Sequence, residues 1–144
     1  MNVLIVHGPN LNLLGSRELS VYGAVTLEEV DAAIRKEAEQ FGMEVEIHQT
    51  AREGEIIELL HSGIDRVGGA LLNPAAYSHT SRAIADAIRA VPYPVIEVHL
   101  SNIHAREPWR RRSVTAEAAA AVITGLGPGS YIAGLHGLKG LVQG

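Results

Sequence analysis

The 144-residue sequence contains no cysteine, which removes disulfides, thiol nucleophiles and cysteine-based metal sites from consideration. Lysine is nearly missing as well. Lys36 falls in a polar helical stretch and Lys139 lies near the C-terminus, so Schiff-base chemistry has no well-placed amine. Aromatic residues make up only 4% of the chain. The core is therefore one of Leu, Ile, Val and Ala, and each of the four tyrosines raises the question of what its hydroxyl does. Positive charge is not in excess: the net charge of −4 speaks against a general nucleic-acid or membrane-surface role. No apolar run approaches the ~20 residues of a membrane span. Gly-x-Gly-x-x-Gly, the P-loop and His-Glu-x-x-His are all missing, so neither dinucleotide, nucleoside phosphate nor metal has its usual motif. A basic and then apolar leader is absent too, and the expectation is a cytoplasmic protein. With no repeat, linker or low-complexity tract, the length implies one domain, residues 1–144.

What is present starts with Val3-Leu4-Ile5-Val6, a strand buried on both faces. Gly8-Pro9 stops it, and a long segment follows before the next helix. Compact domains seldom keep so long a connection without a function, often as a lid. Gly15 and Gly23 bracket the part carrying Arg17 and Tyr22, and glycine tolerates the backbone changes of a moving loop. An ordinary surface loop accounts for the same residues equally well.

Further on, Thr26-x-x-Glu29 has capping-box spacing and leads into a helix with Leu27, Val30, Ala33, Ile34, Ala38 and Phe41 on one face. Residues 43–49 alternate apolar and polar, the pattern of a half-exposed strand at a sheet edge. A short helix from Glu53 to His61, a strand at 69–73, a helix around residues 83–88 and a strand at 95–99 follow. Thr115 to Ala121 has helix composition, but the βαβ alternation demands a fifth strand ending at Val122-Ile123-Thr124, and topology should override local propensity. A last helix opens at Gly127-Pro128-Gly129. The pattern predicts an α/β, flavodoxin-like three-layer sandwich with a parallel sheet of order 2-1-3-4-5, and a ligand crevice where the order reverses between strands 1 and 3. An FMN site would need a Ser/Thr/Gly-rich loop after strand 1, whereas this loop is rich in Asn and Leu.

The loops after strands 1, 3 and 4 should meet at that crevice, and they carry the chemistry: Asn10, Arg17 and Tyr22; Asn73 and His79; His99, Ser101, Asn102, Arg106 and Arg110. Glu97 and His99 stand at i and i+2 of one strand, so both side chains point to one face. A carboxylate there fixes the imidazole tautomer and favours a general acid. The alternative is a histidine that merely caps a buried strand end. Tyrosine, with a pKa of about 10, is ionised about once in a thousand molecules at pH 7; a neighbouring guanidinium, from Arg17, Arg106 or Arg110, would favour the phenolate and make Tyr22 a base. A tyrosine packed at a loop hinge is the competing account. Within Arg110-Arg111-Arg112, usually a solvated face, one member could hold a substrate carboxylate.

With these residues in place, the chain resembles the type II 3-dehydroquinate dehydratases (type II dehydroquinases). The matching stretches are Gly8-Pro9-Asn10-Leu11-Asn12-Leu13-Leu14-Gly15 with Arg17-Glu18 and Tyr22-Gly23; Gln49 with Glu53-Gly54; Asn73-Pro74-Ala75-Ala76-Tyr77 with His79-Thr80-Ser81; and Glu97-Val98-His99-Leu100-Ser101-Asn102 with His104-Ala105-Arg106-Glu107. They run through nearly the whole chain in order. The resemblance implies a metal-free and cofactor-free hydro-lyase that reversibly eliminates water from 3-dehydroquinate in anti geometry, through an enolate, to give 3-dehydroshikimate. The reaction belongs to the shikimate pathway of aromatic amino acid biosynthesis or to quinate catabolism. It further implies Tyr22 as the base at C2, activated by Arg17; His99 as the acid for the C1 hydroxyl; and Asn10 as holder of a water on the enolate. Asn73, His79, Leu100 (through its backbone), Ser101 and Arg110 would bind substrate. Asp86 would reach an adjacent subunit's site in a homododecamer, a tetramer of trimers. No nucleic acid or membrane partner is implied. Two departures from the family pattern are Ala51, where Asn is usual, and Pro108-Trp109, where an acidic residue and Phe are common. A different class of reading is a flavodoxin-like binding or signalling domain that holds a small anion unchanged.

Overall fold

The computed structural model describes residues 1–16 and 18–143. Five parallel strands form one sheet in the order β2-β1-β3-β4-β5, as the alternation predicts. They are β1 (Asn2–His7), β2 (Glu44–Gln49), β3 (Gly69–Asn73), β4 (Val95–His99) and β5 (Ala121–Thr124). The helices are α1 (Leu19–Tyr22), α2 (Leu27–Gln40), α3 (Glu53–Ser62), α4 (Arg82–Ala90) and α5 (Gly129–Gln143).

Strand alternation sorts the core into two layers. Val3 and Ile5 of β1 pack with Val30 and Ile34 of α2 and with Leu135 and Leu138 of α5. Leu4 and Val6, between them, pack on the other side with Ile56 and Leu60 of α3 and Ile84 and Ile88 of α4. A central parallel strand is apolar throughout because both faces are covered. The edge strand β2 alternates because only one face is, and all but the first of its residues are half-buried.

Local signals fix the helix ends. The Thr26 hydroxyl accepts from the Glu29 amide at 3.2 Å at the start of α2, and Ser81 does the same for the Ile84 amide at 3.0 Å at the start of α4. Each satisfies one of the amide donors that a helix start leaves unpaired. Residues 115–120, of helical composition, form turns, and the chain re-enters the sheet at Ala121. The pairing register Glu97↔Val122 and His99↔Thr124 rewards the strand with ladder bonds that an isolated helix of this length would not match.

The segment after β1 differs from a plain loop. Leu11–Leu13 make one 3-10 turn and Leu19–Tyr22 one turn of α-helix, α1. Gly15 and Gly23, the expected brackets, have φ of 90° and 72°, a region where other residues are strained. Gly8 serves close approach instead: a side chain there would lie 2.8 Å from the Asn73 carbonyl oxygen, which accepts the Gly8 amide.

Candidate active site

The loops after β1, β3 and β4 line one crevice at the carboxyl ends of the strands, with Asn10, Tyr22, Asn73, His79, His99, Leu100, Ser101, Arg106 and Arg110 among its walls. Of the ten residues to which the resemblance gives a catalytic or binding role, eight are thus brought together, and Arg106 joins them. Arg17, the ninth, lies outside the described residues. Asp86 sits on α4 with its side chain 83% exposed, paired with Arg89 at 3.4 Å, and is not part of this wall.

His99 is the fixed point. Its Nε2 lies 2.8 Å from Glu97 Oε2, as their same-face spacing predicts, and both residues are buried. A carboxylate only accepts, so Nε2 carries a hydrogen, and Nδ1 is the ring nitrogen left for the crevice. Glu97 is itself held, by the Ser113 hydroxyl at 2.7 Å and by the Thr115 hydroxyl. Neither hydroxyl stood out in the sequence. No local pattern marks them, because they reach Glu97 only once β5 closes on β4.

Tyr22 stands on α1, where Arg106 Nη1 donates to its hydroxyl at 2.8 Å. Arg106 also lies 3.4 Å from the Ser101 hydroxyl and 3.6 Å from the Glu18 carboxylate. Its side chain is 9% exposed, so this cation ties α1 to the loop after β4. A guanidinium donor on the phenol oxygen stabilises negative charge as it develops there. Of the arginines the sequence left open for that role, Arg106 makes this contact.

The three other tyrosines have structural partners. Tyr77 donates to the Ala51 carbonyl at 2.9 Å, Tyr93 to the Leu60 carbonyl, and Tyr131 is buried against His7. Burial pushes the Tyr93 phenol up to about 12 and raises that of Tyr131 as well.

His79 donates from Nδ1 to the Arg112 carbonyl at 2.7 Å, which turns Nε2 toward the crevice as an acceptor. Arg110 is the member of the basic run that enters the site: its side chain is 17% exposed, whereas that of Arg112 is 71% exposed. Glu107 holds the Arg110 guanidinium, whose hydrogen bond keeps the Glu107 carboxyl below the usual carboxylate range. Trp109 stacks on Arg110, with 4.0 Å from guanidinium carbon to ring centre, and meets the His79 ring edge-on at 5.2 Å. The unusual Trp109 thus braces two crevice residues at once. Asn10 adopts φ 70°, a conformation that Asn tolerates better than most residues. Among the described residues no three of His, Asp or Glu cluster as metal ligands would.

In all, the crevice offers an imidazole anchored on the sheet, a phenol on a short helix under a guanidinium, and amide, hydroxyl, imidazole and guanidinium groups suited to a polyhydroxylated carboxylate. That set can remove a proton at one point of a ligand and deliver one at another. A family profile described as "Dehydroquinase class II" matches residues 1–139. The 3-dehydroquinate dehydratase of Caldanaerobacter subterraneus subsp. tengcongensis is 52% identical over 137 residues, covering 95% of this chain and 93% of that protein. The one from Rhizobium meliloti is 47% identical over 141 residues, covering 98% and 95%. The crystal structure of a type II dehydroquinase from Butyrivibrio crossotus superposes with a TM-score of 0.94 at 38% identity, covering 96% of this chain and 97% of that one.

Proposed function

The chain belongs to the class II dehydroquinase family, a family of hydro-lyases acting on 3-dehydroquinate, and from that premise we propose how its own residues carry out the dehydration to 3-dehydroshikimate. Tyr22, as phenolate, takes the proton from C2, and the electron pair moves into the adjacent carbonyl to form an enolate. Arg106, together with Arg17, stabilises the phenolate. Asn10 holds a water that stabilises the enolate oxygen. Collapse of the enolate expels the C1 hydroxyl as water, with the proton supplied by His99. The cycle leaves Tyr22 protonated and His99 one proton short, and exchange with solvent resets both. Tyr22 on α1 and His99 on β4 reach the one crevice from different elements, so base and acid are separate groups, as this elimination needs.

Asn73, His79, Ser101 and the Leu100 backbone bind the hydroxyls and carboxylate, and Arg110 adds charge. The reaction needs neither metal nor cofactor. We extend the reading to a cytoplasmic enzyme of one domain, assembled as a dodecamer in which Asp86 completes a neighbour's site. Among the described residues, no helix is long and apolar enough to cross a membrane.

The observation that carries the assignment is the Glu97–His99 pair and the Arg106–Tyr22 pair facing one crevice. Adding 3-dehydroquinate should produce the ultraviolet absorbance of a conjugated enone, and Tyr22→Phe should lower kcat by at least a thousandfold with an unchanged fold. Near wild-type turnover in that variant would remove Tyr22 as the base.

A further inference from the structure

Arg110 brings its guanidinium to the crevice with most of its donors uncommitted. Nε donates to the Glu107 carboxylate. Among the described residues the two Nη groups have no hydrogen-bond partner, although the side chain is only 17% exposed. A guanidinium carries its N–H groups in one rigid plane. Holding Nε and the plane of the group therefore also aims the Nη edge.

Glu107 holds Nε, and Trp109 holds the plane, with its ring centre 4.0 Å from the guanidinium carbon. Trp109 is not a core residue: it is the one tryptophan of the chain and is 54% exposed. Its own footing is the His79 ring, met edge-on at 5.2 Å with the planes 86° apart. His79 is held in turn by its Nδ1 donating to the Arg112 carbonyl at 2.7 Å. The Val114 amide donates to the Ser78 carbonyl, also at 2.7 Å, so two bonds tie the loop after β3 to the loop after β4. Pro108 opens the 3-10 turn Pro108–Arg110, and the Arg111 amide closes it on the Pro108 carbonyl at 3.2 Å. The proline ring fixes φ at the first residue of that turn. Trp109 and Arg110 are thus carried on a stiff support.

We propose that Trp109 is a positioning residue: stacked on Arg110 and footed on His79, it holds the guanidinium so that its Nη edge meets an oxygen of the substrate. The proposal rests on the functional reading above, with Arg110 as a binding residue. Trp109 is not among the crevice walls, so it acts through Arg110 and not on the ligand. Its contribution is preorganisation, since an arginine already held in place loses less freedom when the ligand arrives. Binding that is equal in the ground and transition states lowers KM and leaves kcat alone.

Trp109→Leu tests this, because it keeps apolar bulk and removes the aromatic face. KM for 3-dehydroquinate should rise about fivefold while kcat stays within about twofold. Trp109→Phe, which keeps a face for the guanidinium, should hold KM within about twofold of the unaltered chain. In an Arg110→Ala background Trp109→Leu should change KM by less than about twofold, because the group being positioned is gone. A merely structural role would lower Tm without moving KM in the folded protein. Should Trp109→Leu fail to fold, Trp109→Ala serves instead, with the same rise in KM and the same loss of effect without Arg110. Unchanged KM in a folded variant lacking the ring, a KM in Trp109→Phe as high as in Trp109→Leu, or equal effects with and without Arg110 would overturn the proposal. Lack of turnover by the unaltered chain would instead overturn the functional reading.

Discussion

Tyrosine 22 differs from the other three tyrosines in what its oxygen meets. Tyr77 and Tyr93 donate to backbone carbonyls and Tyr131 lies against a histidine, whereas Tyr22 receives a hydrogen bond from a nearly buried arginine at the crevice. Arg106→Ala should therefore lower kcat by at least tenfold, and steady-state kinetics together with the pH–rate profile would reveal it. An unchanged profile would leave the activation of Tyr22 to Arg17 alone. Arg106→Lys should recover only part of the loss, since one ammonium cannot reproduce the guanidinium's simultaneous reach to Tyr22, Ser101 and Glu18. A second effect at this scale concerns stability. Burial raises the Tyr93 phenol to about 12 in the folded chain, against about 10 when unfolded. Below pH 10 the phenol is protonated in both states and costs nothing. Between about pH 10 and 12 only the unfolded chain ionises, so stability falls as pH rises through that window. Urea midpoints measured across it should decline, and Tyr93→Phe should make the decline shallower, with Tyr131 supplying the remainder in the same direction.

Among the elements, the helix starts are the most legible part of the chain. Thr26-x-x-Glu29 and Ser81 announce α2 and α4, and both hydroxyls cap as expected. Thr26→Ala should cost about 1 kcal/mol, read as a lower urea midpoint with the slope unchanged, while kcat holds because the cap lies outside the crevice wall. A loss of activity at full stability would mean that α2 steers the opening loop more directly than its cap implies. That loop was less legible. Its glycine brackets and Tyr22 could be read from composition, but the helical turn at Leu19–Tyr22 could not, since four residues are too few to show periodicity. The turn is defined by its own amide bonds to Glu18 and Leu19 and by Arg106 reaching across from residues far along the chain.

At the scale of the whole molecule, the reversal of strand order between β1 and β3 gathers three distant loops into one crevice, and the remaining question is what lies beyond one chain. Asp86 faces outward on α4. The dodecamer reading expects a native mass near twelve chains, measured by light scattering, and expects Asp86→Ala to raise KM in the assembled enzyme; a monomeric mass with full activity would free Asp86 of any such role. The sequence by itself determined the layers, the edge strand and the place of the crevice, because strand alternation, helical spacing and the βαβ rule are local patterns with few compatible topologies. It determined the Glu97–His99 pair for the same reason, two residues on one face of one strand. The partners that act across elements were decided only by the tertiary structure: Ser113 and Thr115 on Glu97, Arg106 on Tyr22, and Asp31 and Tyr131 on His7. Their separations along the chain carry no period. What brings each pair together is the burial of polar groups, which had to find hydrogen-bond partners wherever packing placed them.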